Sequence, residues 1–183
     1  MMRLSKASWA GSRVLILAPT PTHPLDFGNR RRIFHIADAM KADGAEIHYV
    51  HYPAEQDWRQ APPLSAMRAM QACWDGVYTV PVTRPLHALP IGEHHGIDEW
   101  WDPAIGQMLE WLFATWRFDV MIVNYTWLSR ALELAPHGVL RVLDTHDRFS
   151  GRRELLEARG IGPEFFFTTE AEEKIGLERA DLV

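Results

Sequence analysis

Short apolar runs alternating with helix-length amphipathic stretches constrain this chain more than any other feature. Arg13-Val14-Leu15-Ile16-Leu17-Ala18 is an apolar run stopped by Pro19, the pattern of a strand buried on both faces. A loop with prolines at 19, 21 and 24 leads through Gly28 to a helix from about Asn29 to Ala42. Ile33, Ile36, Ala37 and Met40 share one face of it, and Gly44 ends it. Glu46 to Tyr52 alternates polar and apolar residues and reads as a second strand. Pro62 to Trp74 has helical spacing through Leu64, Met67, Met70 and Gln71, and Val77 to Val82 reads as a third strand. Thr83 to Gly96, rich in Pro, His and Gly, reads as loop. A helix from about Asp98 to Arg117 carries a stripe of Trp101, Ile105, Met108, Leu112 and Trp116. Phe118 to Val123 is a fourth strand, Thr126 to Ala135 a helix, and Val139 to Leu143 a fifth strand ending at Asp144. Thr168 to Ala180 reads as a last helix, and Asp181-Leu182-Val183 as the opening of a further buried strand. That ending leads us to expect the front part of a longer protein.

Strands that alternate with helices require a parallel sheet covered on both faces. The expected fold class is therefore α/β, a Rossmann-like doubly wound parallel sheet over residues 13–183, preceded by a flexible amino-terminal tail at 1–12. Right-handed crossovers leave few topologies. The order expected puts the second and third strands on one side of the first, and the fourth and fifth on the other. Winding then reverses between the first and fourth strands, and ligands in such sheets bind beside that reversal, at the carboxyl ends of the strands.

Composition narrows the function classes. A net charge of -5 argues against a general nucleic-acid surface. The amino terminus lacks the apolar centre of a secretory signal, and the longest apolar runs fall well short of the ~20 residues of a spanning helix. The single cysteine, Cys73, permits no intrachain disulfide, which suits a reducing cytoplasm. Eight tryptophans suggest large aromatic packing units and an apolar face for a partner domain.

Three polar loops should meet at one rim of the sheet. The first strand leads to Asp26-Phe27-Gly28-Asn29-Arg30-Arg31-Arg32, the fourth to Asn124-Tyr125, and the fifth to Asp144-Thr145-His146-Asp147-Arg148. Gly28 permits close backbone approach, and the helix after it offers free N–H groups to an anion. Consecutive helical residues point in different directions, so at most one or two of the three arginines can face the crevice. Neither G-x-G-x-x-G nor a phosphate loop is present. Asp144, His146 and Asp147 could abstract a proton, bind sugar hydroxyls or ligate a metal. Strand-end placement favours function for at least one of them. The remaining candidates are read as structural. His94 and His95 have no second ligand pair, Cys73 has no Cys-x-x-Cys partner, His48 and His51 suit a sheet edge, and Thr169 with Glu172 forms a capping-box pattern.

Residues 14–19, the Pro-rich loop to Gly28 and the arginines after it resemble the opening of GT-B-fold glycosyltransferases, specifically the retaining group-1 branch. Asp119-Val120-Met121-Ile122-Val123-Asn124-Tyr125, Val142 to Ser150 and Thr169 to Val183 resemble later segments of the same amino-terminal domain. Many relatives carry two adjacent glycines in the first loop, where this chain has Gly28-Asn29. The resemblance implies one half of a two-domain transferase of polysaccharide or glycolipid biosynthesis. It would hold a sugar or lipid-linked acceptor and take a nucleotide-sugar as substrate, bound mainly by a carboxy-terminal domain missing here. It implies no cofactor and no metal, and a cytoplasmic protein in peripheral contact with the inner face of the membrane. His146 with Asp144 or Asp147 would position or deprotonate the acceptor hydroxyl. Gly28, Asn29, Arg32, Asn124, Tyr125 and Arg148 would line the acceptor and donor sites. A sugar-nucleotide epimerase of the same fold, a non-catalytic Rossmann-like module, and a metal-dependent hydrolase using Asp144, His146 and Asp147 remain as alternatives.

Overall fold

The computed structural model describes residues 8–53, 63–84, 92–162 and 167–183. Residues 1–7 of the expected tail, Pro62, and residues 85–91 of the expected loop lie outside them. Five strands form one parallel sheet: β1 (Arg13–Ala18), β2 (Glu46–His51), β3 (Gly76–Thr79), β4 (Val120–Asn124) and β5 (Leu140–Asp144). Their order is β3-β2-β1-β4-β5, the one expected from the sequence, and β1 and β4 are neighbours at the reversal. The helices are α1 (Gly28–Ala42), α2 (Leu64–Cys73), α3 (Pro103–Thr115), a 3-10 helix (Thr126–Leu134), α4 (Arg152–Glu157) and α5 (Glu170–Leu177). This all-parallel sheet flanked by helices is compatible with a Rossmann-like fold.

Alternation along the strands builds two cores. Val14, Ile16 and Ala18 of β1 turn to one face, with Ile33, Ala37 and Met40 of α1 and Met70 of α2. Leu15 and Leu17 turn to the other, with Ile105, Leu109 and Leu112 of α3 and Leu128 and Leu132 of the 3-10 helix. Each such fully buried aliphatic side chain contributes about 1.5–3 kcal/mol. The register then places the site: Asn124, the last residue of β4, lies opposite Asp144, the last residue of β5.

Several local expectations shift. α3 begins at Pro103 rather than near Asp98, because Asp102 caps it, accepting from the Ala104 amide, with proline in the first turn. Asp102 is fully buried and also accepts from the Thr83 and Arg84 amides, the Thr83 hydroxyl and the Tyr52 hydroxyl. Of the stripe expected on this helix, Ile105 and Leu112 are buried, while Trp116 lies beyond its end, exposed, beneath the Arg13 guanidinium. His48 and His51, expected at an edge, are buried on β2, a strand paired on both sides. Trp9, in the expected tail, packs on the α1 side core, and its amide donates to Asp43. Thr169 caps α5, but Glu172 accepts from Ile97 N at 2.8 Å instead of closing the box on Thr169. Leu182 pairs in parallel with Val142, as a strand beside β5 would, yet Leu182 and Val183 are exposed rather than buried.

Candidate functional site at the carboxyl rim of the sheet

Asn124 is the pivot. It is buried, and its Nδ2 donates to the Leu17 carbonyl of β1 at 3.0 Å. That bond turns Oδ1 toward His146, whose Nε2 lies 2.9 Å away. An amide oxygen can only accept, so Nε2 carries the hydrogen and Nδ1 keeps its lone pair. Nδ1 makes no hydrogen bond to any described residue. The imidazole also stacks on Tyr125, with ring centroids 4.4 Å apart and planes 12° apart.

Both stacked residues have unusual backbones. Tyr125 has φ 74° and His146 φ 57°, and they are the non-glycine residues of positive φ among those described. Such conformations cost on the order of 1–3 kcal/mol each and persist where the surroundings over-determine them. The Tyr125 amide donates to the Asp144 carbonyl at 2.8 Å, extending the β4–β5 ladder past the strand ends. The Asp147 amide donates to the Thr145 carbonyl at 2.6 Å, closing a three-residue turn with His146 at its centre. These two reversals set the rings face to face.

Helix α1 supplies the other wall. Asn29 and Arg32 are three apart and so share a face. Asn29 Nδ2 donates to the Tyr125 hydroxyl at 2.9 Å, and Arg32 Nε donates to Asp144 at 2.9 and 3.2 Å. Arg30 and Arg31 turn away, to Thr20 with Asp26 and to the Leu25 carbonyl. Of the three arginines, only Arg32 therefore joins the rim. The Asp144 side chain is 12% exposed, and its carboxylate lies 3.8 Å from His146 Nε2. Burial pushes the His146 pKa below its usual value, with Asp144 opposing. The salt link to Asp144 holds the Arg32 guanidinium above its usual value.

The sequence-based set thus divides. Asn29, Arg32, Asn124, Tyr125, Asp144 and His146 form one connected network. Gly28 stands apart from these contacts at the start of α1. It is exposed, and a Cβ there would meet nothing within 4 Å. Asp147 and Arg148 leave the network. They line a separate open pocket of about 550 Å³, with Thr145, Glu170, Glu173 and Lys174. Asp147 faces Arg152 at 3.6 Å, and Arg148 Nε donates to Ser150 Oγ at 3.0 Å.

Sequence reasoning missed the buried Glu173, which accepts from the Phe149 and Ser150 amides and the Ser150 hydroxyl, fixing the chain beyond β5. Its only sequence signal is a carboxylate inside an otherwise ordinary surface helix. Among the described residues, no three of His, Cys, Asp and Glu are grouped to hold a metal ion, and no helix is long and apolar enough to cross a membrane.

No family model, no curated protein and no solved structure matches this chain.

Proposed function

We propose that this chain is the acceptor-side domain of a GT-B-type glycosyltransferase, moving a sugar from a nucleotide-sugar to an acceptor hydroxyl in polysaccharide or glycolipid synthesis. One observation carries the proposal. His146 presents an uncommitted Nδ1 lone pair, its other nitrogen tied to Asn124, at the rim where the sheet reverses its winding. Burial keeps the imidazole neutral at pH 7, the state that can accept a proton.

In this reading the acceptor oxygen bonds to the anomeric carbon of the donor. The bond from that carbon to the phosphate oxygen breaks, and its electron pair leaves with the nucleoside diphosphate. The acceptor hydroxyl gives its proton to His146 Nδ1. Asp144, held by Arg32, lies near the ring to favour the imidazolium that forms. The first turn of α1 has no acidic residue, and its Gly28 and Asn29 amides are suited to the departing diphosphate, the Arg30 amide donating to Asn29 Oδ1. A carboxy-terminal domain would hold the donor, and a lipid-linked acceptor would bring the protein to the inner face of the membrane.

The test is release of nucleoside diphosphate from a panel of nucleotide-sugars by the protein joined to its donor-binding half. His146→Ala should lower kcat by about 10²–10⁴-fold with the fold intact. Unchanged kinetics would remove His146 from the chemistry, and turnover by this chain alone would refute the division of labour between two domains.

A further inference from the structure

Two non-glycine backbones at the rim take a sign of φ that side chains rarely adopt, and their shared product is one contact. Tyr125, at φ 74°, and His146, at φ 57°, bring their rings into a parallel stack with centroids 4.4 Å apart and planes 12° apart. The imidazole therefore lies over the electron-rich face of the phenol ring. That face attracts a cation held within about 6 Å of its centroid, and most strongly where water is excluded. Water is excluded here, since Tyr125 and the His146 side chain are each 5% exposed.

The phenol ring is also held at its far end. Asn29 Oδ1 accepts from the Arg30 amide at 2.8 Å, which leaves Nδ2 to donate to the Tyr125 hydroxyl at 2.9 Å. Helix α1 thus fixes the ring against which the imidazole rests.

The charged groups around His146 work against one another. Asp144, at the end of β5, favours the imidazolium but is shared with Arg32 of α1, whose charge opposes it. Asp147, in the turn after β5, also favours it and faces Arg152 at 3.6 Å. Burial, the largest effect, disfavours it. The Tyr125 face favours the cation and carries no charge of its own for an arginine to neutralise.

We infer that Tyr125 is a positioning residue for His146: its ring face, clamped by Asn29, stabilises the imidazolium that forms when Nδ1 takes a proton. Nε2 keeps its hydrogen on Asn124 Oδ1, so both nitrogens are then protonated and the ring carries one positive charge. The inference rests on the acid–base reading of His146 and names the group that supports its charged form.

The test compares Tyr125→Phe with variants carrying phenylalanine bearing one, two or three ring fluorines at the same position. Fluorine drains the ring face while nearly keeping its shape. The His146 pKa, read by imidazole NMR titration of this chain, should fall stepwise across the series, by about one unit in all. The variants' amide spectra report that they are folded. A pKa that stays flat across the series overturns the inference. The unmodified chain gives an independent reading: Overhauser contacts between the two rings should persist below the His146 pKa, and their loss on protonation overturns the inference. Neither measurement needs a donor or turnover. A stepwise fall in pKa, with full turnover retained by His146→Ala in the protein joined to its donor-binding half, would remove the transfer reading alone. A flat pKa with turnover lost in His146→Ala would remove the role of Tyr125 alone.

Discussion

His51 offers a quantitative test of how burial acts in this fold. It closes β2, faces the α1 side, and has no exposed surface. Neither ring nitrogen completes a hydrogen bond. Burial lowers its pKa to about 4, the nearby Pro19 carbonyl opposing and Arg30 assisting. The unfolded chain should titrate near the ordinary histidine value of about 6.5. The folded pKa lies below the unfolded one, so the unfolded state binds more protons between these values. Stability is then full above pH 6.5 and is lost as pH falls toward 4. Linkage gives a loss of about 2 kcal/mol between pH 7 and pH 5, and about 3 kcal/mol once pH 4 is passed. Replacing His51 by Leu, of similar volume, removes this term. It also removes two buried polar atoms that lack partners, so stability at pH 7 should be equal or higher by about 1 kcal/mol. Urea unfolding followed by tryptophan fluorescence at pH 7 and pH 5 measures both proteins. The advantage of His51→Leu should grow by about 2 kcal/mol on acidification, roughly 1 M in urea midpoint. Other titrating groups are common to both proteins and cancel in the difference. An advantage that stays constant between the two pH values would refute the reasoning.

Three further perturbations follow from the packing. Asn124→Asp puts a carboxylate on His146 Nε2 and should raise the His146 pKa by more than one unit, read from imidazole NMR titration; an unmoved pKa would mean the contact does not orient the ring. Gly176→Ala should destabilise by about 1–3 kcal/mol despite alanine's better helix propensity, because its Cβ would meet Thr126 Cγ2 at 2.6 Å and Ser129 Oγ at 2.9 Å. A thermal melt with a raised Tm would contradict that contact. Asp102→Ala removes the α3 cap and leaves the Thr83 and Arg84 amides without their acceptor, for a loss of about 3 kcal/mol or more by urea titration.

The rim shows where reading a sequence succeeds and where it stops. Asn124, Asp144 and His146 could be placed together because each lies at or just past the carboxyl end of a strand in a sheet whose order the crossover rule restricts. Arg32, rather than Arg30 or Arg31, could be expected only as one of three, since helical geometry limits how many face one way without saying which. Asp147 could not be separated from His146. The two are adjacent, and the positive φ of His146 sends them to different sites. The start of α3 was legible in Asp102-Pro103, a capping residue before a first-turn proline, and was masked by the apolar stripe that begins at Trp101. Histidine at 51 carries no local mark of burial, because which strand is interior depends on pairing across the whole sheet.

The sequence by itself determined the alternation of strands and helices, the parallel sheet and the gathering of three loops at its carboxyl edge. Periodicity and crossover handedness are properties of short segments, so they survive without coordinates. Only the tertiary structure decided that the Leu17 carbonyl orients Asn124, that Asn124 fixes the His146 tautomer, and that Tyr125 and His146 lie ring on ring. Those contacts depend on the backbone sign at two single residues and on hydrogen bonds between strands far apart in the chain, and no repeat in the sequence encodes either.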